Sequence, residues 1–171
     1  MKLVRQALVW LPVAALVAAV VIGMIQGAKM TAATVSVSEK DRERTEIELA
    51  INTVFGWAVT KDFDLFFKTI ADDSEFVSVT PYKRVKFGVE DVKKDTAFWS
   101  DPNFKAIRHE IRDLKITFAR SGEVAWFYCV LDDINEINGQ PANWENVRWT
   151  GVVEKRQGKW RVLQQHFSYA R

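Results

Sequence analysis

Four polar side chains near the C-terminus have the chemistry to bind an anion or to move a proton. A guanidinium is a fixed positive donor suited to a carboxylate, enolate or phosphate oxygen. An imidazole can exchange a proton near neutral pH or simply donate a hydrogen bond. A hydroxyl and an amide can orient polar substituents of the same ligand. These groups belong to Arg148, His166, Thr150 and Gln164.

The loop between the last two strand-like segments decides whether these side chains share a face. If residues 156–158 form a three-residue hairpin with Gly158 in the left-handed conformation, Arg148 lies opposite His166. All four polar side chains then point to one face of the sheet. A two-residue turn would instead place Trp149 opposite His166, so the prediction depends on this loop.

Polar groups on an interior face need partners, because an unmet buried polar group costs about 1–3 kcal/mol. A ligand pocket would supply those partners for all four residues. The alternative is a satisfied internal network without a ligand, with Arg148 held by Asp132 or Asp133 and His166 bonded to Ser168 or to backbone.

Aromatic residues are candidates for the rest of the pocket wall. Trp57 and Trp99 fall in predicted helices, and Tyr128 or Trp126 in a central strand. Large aromatic side chains more often simply pack in the core. His109 has charged neighbours on both sides, which favours a solvated or subunit-facing surface.

The remaining reactive residues favour neither a thiol enzyme nor a metal site. Cys129 is the only cysteine and lies in an apolar run, which is typical of a buried thiol. His109 and His166 are far apart in the sequence, and no cluster has metal-ligand spacing. We therefore expect no metal and no cofactor.

Helical periodicity predicts three helices ahead of the long strands. The charged stretch Glu39–Glu48 resembles a helix start, and apolar residues recur at helical spacing from Ile47 to Ala58, so the first helix should run to about Thr60. Asp62 can cap a second helix with one aromatic face, and a third helix should follow Gly88 and stop at Asp101.

Strands dominate the second half of the sequence. Two short ones are expected around residues 75–80 and 84–87, followed by four long segments rich in β-branched and aromatic residues. Turn residues separate the long segments, so they form an antiparallel meander and the fold class is α+β. The long segments are Phe104–Arg120, Val124–Ile134, Asn146–Lys155 and Lys159–Tyr169.

The first 30 residues differ in texture from the rest. A near-continuous apolar run from Ala7 to Ile25 follows Lys2 and Arg5, which is typical of a membrane-directed segment. It predicts a signal peptide or a transmembrane anchor over residues 1–30 and a tether over 31–38. In both cases residues 39–171 would lie on the exported side, either periplasmic or extracellular and tethered to the cell membrane, or secreted after cleavage.

Charge gives no reason to expect a polyanionic partner. The net charge is +2, and 21 basic against 22 acidic residues remain once the first 30 are set aside. We therefore expect no nucleic-acid partner.

The C-terminal pattern resembles the SnoaL-like group of the NTF2-like superfamily, which includes the association domain of calmodulin-dependent kinase II. The pattern is Arg-x-Thr, a hydrophobic strand, Gly-Lys-Trp and then His-x-Ser, and the likeness extends over Glu39–Arg171. It implies three helices packed on a curved, mainly antiparallel sheet that closes into a cone. The matching residues are Arg148, Thr150, Gly158, Lys159, Trp160, His166 and Ser168.

The resemblance leaves the activity open, because the superfamily includes isomerases, cyclases, dehydratases and pure assembly modules. Its ketosteroid-isomerase-like template needs a carboxylate base and a tyrosine or protonated aspartate in the cavity. Neither can be matched here, so no catalytic residue is assigned.

Three functions follow as hypotheses. The first is an exported, membrane-tethered domain that binds a small, partly apolar ligand, which can be anionic, and that pairs into a homodimer through the outer face of its sheet. The second is an isomerase, cyclase or dehydratase that uses His166 with Arg148 as oxyanion stabiliser. The third is a noncatalytic oligomerisation module.

Overall fold

The structure is a computed structural model that describes residues 39–170. These residues fall into two units that divide after Glu43, and the sheet and the core belong to the second, Arg44–Arg171. In the first unit residues 39–43 are helical. No helix in the described range is long and apolar enough to cross a bilayer. The predicted membrane segment (1–30) and tether (31–38) lie outside the described residues.

Four helices of the second unit precede the long strands. Residues 44–60 (α1) bury Ile47, Ile51, Val54 and Trp57 along one stripe, as helical periodicity requires. Asp62 caps the second helix by accepting a hydrogen bond from the Leu65 backbone N–H at 2.9 Å. The three short helices are α2 (Phe63–Thr69), α3 (Gly88–Lys93) and α4 (Thr96–Ser100).

The third predicted helix is in fact two, α3 and α4. The helical backbone is interrupted at Lys94–Asp95, and the Asp95 carboxylate accepts hydrogen bonds from Arg84 and Lys86. This break places a charged cluster beside the second strand.

Within residues 39–170, seven strands form one curled, mainly antiparallel sheet in the order β2-β1-β7-β6-β4-β3, with β5 paired to β4. Only β1 and β7 are parallel neighbours along this order. The α+β class and the curved sheet predicted from the sequence are confirmed. The strands are β1 (Val77–Val79), β2 (Val85–Phe87), β3 (Phe104–Phe118), β4 (Val124–Ile137), β5 (Gln140–Pro141), β6 (Trp144–Arg156) and β7 (Lys159–Ser168).

The predicted register of the last hairpin is wrong. Gln157 and Gly158 both have positive φ, 52° and 75°, so the turn has two residues and Arg156 pairs with Lys159. A bulge then shifts the pairing between Val152 and Val153, which places Arg148 opposite Ser168.

Further bulges curve the sheet around its buried face. Asp113 and Asn146 take positive φ where the pairing of β3 with β4 and of β4 with β6 shifts by one residue. Bulges bend and twist a strand locally. Gly151 allows the closest packing on β6, because a Cβ there would lie 2.6 Å from both the Gln164 carbonyl oxygen and the Phe127 ring. The helices cover this inner face of the sheet.

Candidate functional site

A cavity of about 610 Å³ lies between the helices and the inner face of the sheet. Most of its lining side chains are apolar or aromatic. Trp57 stacks on Phe66 with ring centroids 4.7 Å apart and meets Trp99 edge to face at 5.2 Å. Trp144 and Phe167 line the cavity from the sheet. The aromatic faces of α1, α2 and α4 therefore form one wall of a hollow that the sheet completes.

Two of the seven predicted ligand-binding residues, Trp57 and Trp99, line this cavity. Trp57 is buried to 4% exposure and its indole N–H is used, since Nε1 donates to the Val54 carbonyl at 2.9 Å. A ligand can therefore contact the faces and edges of both rings. The indole N–H of Trp57 is already used and does not donate to the ligand.

The polar quartet Arg148, Thr150, Gln164 and His166 points away from the cavity, so its predicted inward orientation is wrong. Inward positions on β6 and β7 belong instead to Trp149 and Phe167, which are 0% and 3% exposed. The register places the two aromatic rings together on the buried side, and the alternation of side chains then sends the quartet outward.

On the outer face, Thr150 pairs with both Tyr128 and His166 across neighbouring strands. Tyr128 is 40% exposed, so it too lies outside the cavity. The ligand-binding role of these residues stays a prediction, as does the pairing of two copies of the chain through this face.

The proposed partners of Arg148 are also placed differently. Arg148 Nη2 donates to the Tyr169 carbonyl oxygen at 2.7 Å. Asp132 instead forms an ion pair with Arg112 and accepts a hydrogen bond from the Asn146 backbone N–H. The pKa of Asp132 is lowered, chiefly by the Arg112 hydrogen bond.

Asp133, one position further along β4, brings a carboxylate from the sheet into the cavity. Asn135 Nδ2 donates to its Oδ2 at 2.8 Å. Burial disfavours the charged form and raises the pKa of Asp133 to about 6. This carboxylate could not be assigned to the cavity from the sequence, because the adjacent residues Asp132 and Asp133 point to opposite faces of a strand and composition does not say which one points inward.

His109 is the cross-strand partner of Asp133 and shares its inward face. Its ring lies 6.4 Å from that of Phe55, between ring centroids, and burial lowers its pKa. His109 is therefore half-buried beside α1 rather than on the solvated surface suggested by its charged neighbours.

Positive charge enters the cavity from β2 and the loop before it. Arg84 Nη2 lies 2.8 Å from Asp95 Oδ1, and Lys86 bonds the other oxygen of the same carboxylate. Lys86 Nζ also lies 5.1 Å from the centre of the Trp99 ring. Two cations thus share one carboxylate, and all three side chains line the cavity.

Cys129 is buried, as predicted. Desolvation raises the pKa of its thiol to about 12, so the thiolate needed for nucleophilic attack does not form near neutral pH. Within residues 39–170, no group of three or more His, Cys, Asp and Glu side chains is placed to hold a metal ion.

The profile of the SnoaL-like domain matches residues 47–171. The chain belongs to the SnoaL-like domain family. No curated protein matches its sequence. The match covers every strand and all three short helices, so the family and the curled sheet agree on the fold.

Solved structures share this SnoaL-like architecture at low sequence identity. An inferred dehydratase of the NTF2-like family from Streptomyces avermitilis is 17% identical, with a TM-score of 0.65 over 77% of this chain and 98% of its own. An NTF2-like superfamily protein from Salmonella enterica is 17% identical, with a TM-score of 0.62 over 77% and 93%. An inferred calmodulin-dependent kinase II association domain from Exiguobacterium sibiricum is 7% identical, with a TM-score of 0.61 over 75% and 93%. These likenesses show the NTF2-like fold alone.

The raised pKa of Asp133 predicts the pH dependence of the SnoaL-like domain's stability. Between pH 4 and 6 the folded state keeps a proton that the unfolded state has lost, so stability falls as the pH rises through this window, by at most about 3 kcal/mol. Asp133→Asn should therefore raise the free energy of unfolding at pH 7.5 and flatten this dependence. Urea denaturation at pH 4.5 and 7.5 measures both effects.

Asp132→Asn is the matched control. The pKa of Asp132 is lowered, so this variant should lose stability at pH 7.5. A loss of stability in Asp133→Asn at the same pH would contradict the predicted protonation of Asp133.

Proposed function

We propose that the cavity binds a small, largely apolar molecule, with an anionic group of that molecule facing Arg84 and Lys86. The observation that carries this proposal is the cavity itself, which has a volume of about 610 Å³ and a mainly apolar and aromatic lining with a few charged groups. Small-molecule sites are typically apolar hollows of about 300–1,000 Å³ in which a few polar groups fix the orientation.

The aromatic wall favours a flat or polycyclic ligand body. Indole and phenyl rings gain stacking and edge contacts with another ring in addition to the apolar area they bury. Such surfaces come from Trp57 of α1, Trp99 of α4 and Trp144 of β6.

Positive side chains outnumber negative ones at the β2 side of the cavity, and this supports an anionic group on the ligand. Arg84 and Lys86 share Asp95, so the three groups together carry one excess positive charge. Lys86 and Asp95 are well buried there, with 10% and 15% of their side chains exposed. A carboxylate in a partly dehydrated site gains more from this charge than it would in water.

Aromatic probes test the charge of the ligand. 2-Naphthoate should bind more tightly than its neutral counterpart 2-naphthamide, and Arg84→Gln should weaken 2-naphthoate about fivefold, within the range of a solvent-exposed ion pair. Isothermal titration calorimetry measures both affinities. Arg84 is 59% exposed, so the variant should keep its fold.

Lys83→Gln is the matched control, since it removes the same charge from the same loop at a position outside the cavity lining. It should leave both affinities unchanged. Equal binding of 2-naphthoate and 2-naphthamide, or equal weakening by the two variants, would refute the anionic group.

A second candidate function is proton transfer, and Asp133 is the observation that favours it. A carboxylate with a pKa of about 6 in an apolar cavity is a better proton acceptor than one in water. It would take a proton from a carbon next to a ligand carbonyl, leave the electron pair on the enolate oxygen, and return the proton. His166 and Arg148 do not face the cavity, so this role does not use them.

Deuterium exchange of 2-tetralone tests this candidate. In D2O the protein should accelerate exchange of the protons next to the carbonyl, with a rate that rises as Asp133 ionises around pH 6. Proton NMR follows the loss of signal. Asp133→Asn should slow the exchange about 100-fold, whereas Asp132→Asn should not. An exchange rate equal to that in buffer would exclude this function for such ketones.

We also propose, from the N-terminal sequence, that the domain is exported and held at the membrane. The support is the apolar run Ala7–Ile25 behind Lys2 and Arg5. In bacterial spheroplasts, added protease should digest the full chain, and after lysis of untreated cells the full chain should sediment with the membranes. A variant without residues 2–30 should be soluble and protected. Protection of the full chain would contradict export.

A further inference from the structure

The amide of Gln165 is a buried polar group that is only half satisfied. Gln165 lies on β7 with 7% of its surface exposed. Its Nε2 donates to Ser78 Oγ at 3.1 Å, while its Oε1 is buried and has no hydrogen-bond partner. Both Gln165 and Ser78 line the cavity.

One end of the Gln165 amide lacks a partner in either orientation of the amide. The Ser78 hydroxyl can donate as well as accept, so a flipped Gln165 would bond Ser78 through Oε1 and leave Nε2 without a partner. One end of the amide is free in either case. Buried side-chain polar groups are nearly always paired, and an unpaired one calls for an explanation.

Gln165 also belongs to a row of polar side chains on an otherwise aromatic wall. Lys86 pairs with Ser78 across β2 and β1, and Ser78 pairs with Gln165 across β1 and β7. Cross-strand partners point to the same face about 5 Å apart. The cations beside Asp95 and the side chain of Gln165 therefore line the same side of the cavity.

We infer that the ligand carries a hydroxyl or another small hydrogen-bonding group that pairs with the free end of the Gln165 amide, next to its anionic group at Lys86 and Arg84. The ligand class is thus a hydroxylated aromatic or polycyclic acid. This inference rests on the proposed ligand-binding function. The ligand then satisfies a group that the described protein side chains leave unpaired. Specificity for the hydroxyl follows, because an analogue without it leaves the amide unpaired.

Two probes of nearly equal shape isolate this contact. 2-Naphthol carries the hydroxyl, and 2-methylnaphthalene replaces it by a methyl group. The wild-type protein should bind 2-naphthol about tenfold more tightly, measured by quenching of tryptophan fluorescence and by calorimetry. Gln165→Met, which keeps the length of the side chain, should reduce this preference to less than twofold without weakening 2-methylnaphthalene.

Gln164→Met is the matched control, because it makes the same change one residue away on the outer face, and it should keep the tenfold preference. Ser78→Ala removes the hydroxyl that pairs with the other end of the amide, and this variant should also keep the tenfold preference for 2-naphthol. If Gln165→Met does not fold, Gln165→Leu, which also removes the amide, is measured with the same two probes, and a tenfold preference that persists in it would overturn the inference.

The outcomes separate this inference from the proposed function. Equal affinities of the wild-type protein for the two probes would overturn the inference and leave the apolar ligand site standing. Loss of both probes in a folded Gln165→Met variant would also overturn it, by showing that Gln165 only shapes the cavity. Failure of every naphthalene probe to bind the wild-type protein would overturn both.

Discussion

Burial of Trp149 and Phe167 against each other is the contact on which the rest of the sheet depends. Their rings stack with centroids 5.4 Å apart, and Phe55 of α1 and Phe127 of β4 meet Trp149 edge to face. Because side chains alternate along a strand, fixing these two rings on the inner face also fixes the orientation of the neighbouring residues on β6 and β7, as far as the next bulge. Gln165 thereby enters the cavity, and Gln164 and His166 leave it.

The sequence predicts the architecture well because architecture follows from patterns repeated over many residues. The helical stripe of α1, the cap at Asp62 and the long β-rich segments each have several residues in support, and all are present in the structure. The site residues are harder to predict, because a single extra residue changes their orientation. The bulge opposite Val152 and Val153 inserts such a residue into β7. Whether a bulge forms there depends on how the side chains fit in the core.

The same limit applies to the acidic pair on β4. Asp132 and Asp133 are chemically identical in the sequence, yet Arg112 lowers the pKa of one and burial raises that of the other. The positions of Trp57 and Trp99 in the cavity lining were predictable, because a large aromatic side chain on the inner side of a helix packs toward the sheet. Arg84 and Lys86 meet Asp95 at the break between α3 and α4, where helical periodicity predicts one continuous helix.

The parallel pairing of β1 with β7 has a consequence for how the domain is made. Ser78 and Gln165 are 87 residues apart, so this edge of the sheet closes only when the last described strand is available. Contacts between distant parts of a chain slow folding. During synthesis on the ribosome, the aromatic stripes of α1 and α2 therefore stay exposed until the later strands have been made. Chaperones that shield apolar surface of nascent chains would bind during this period.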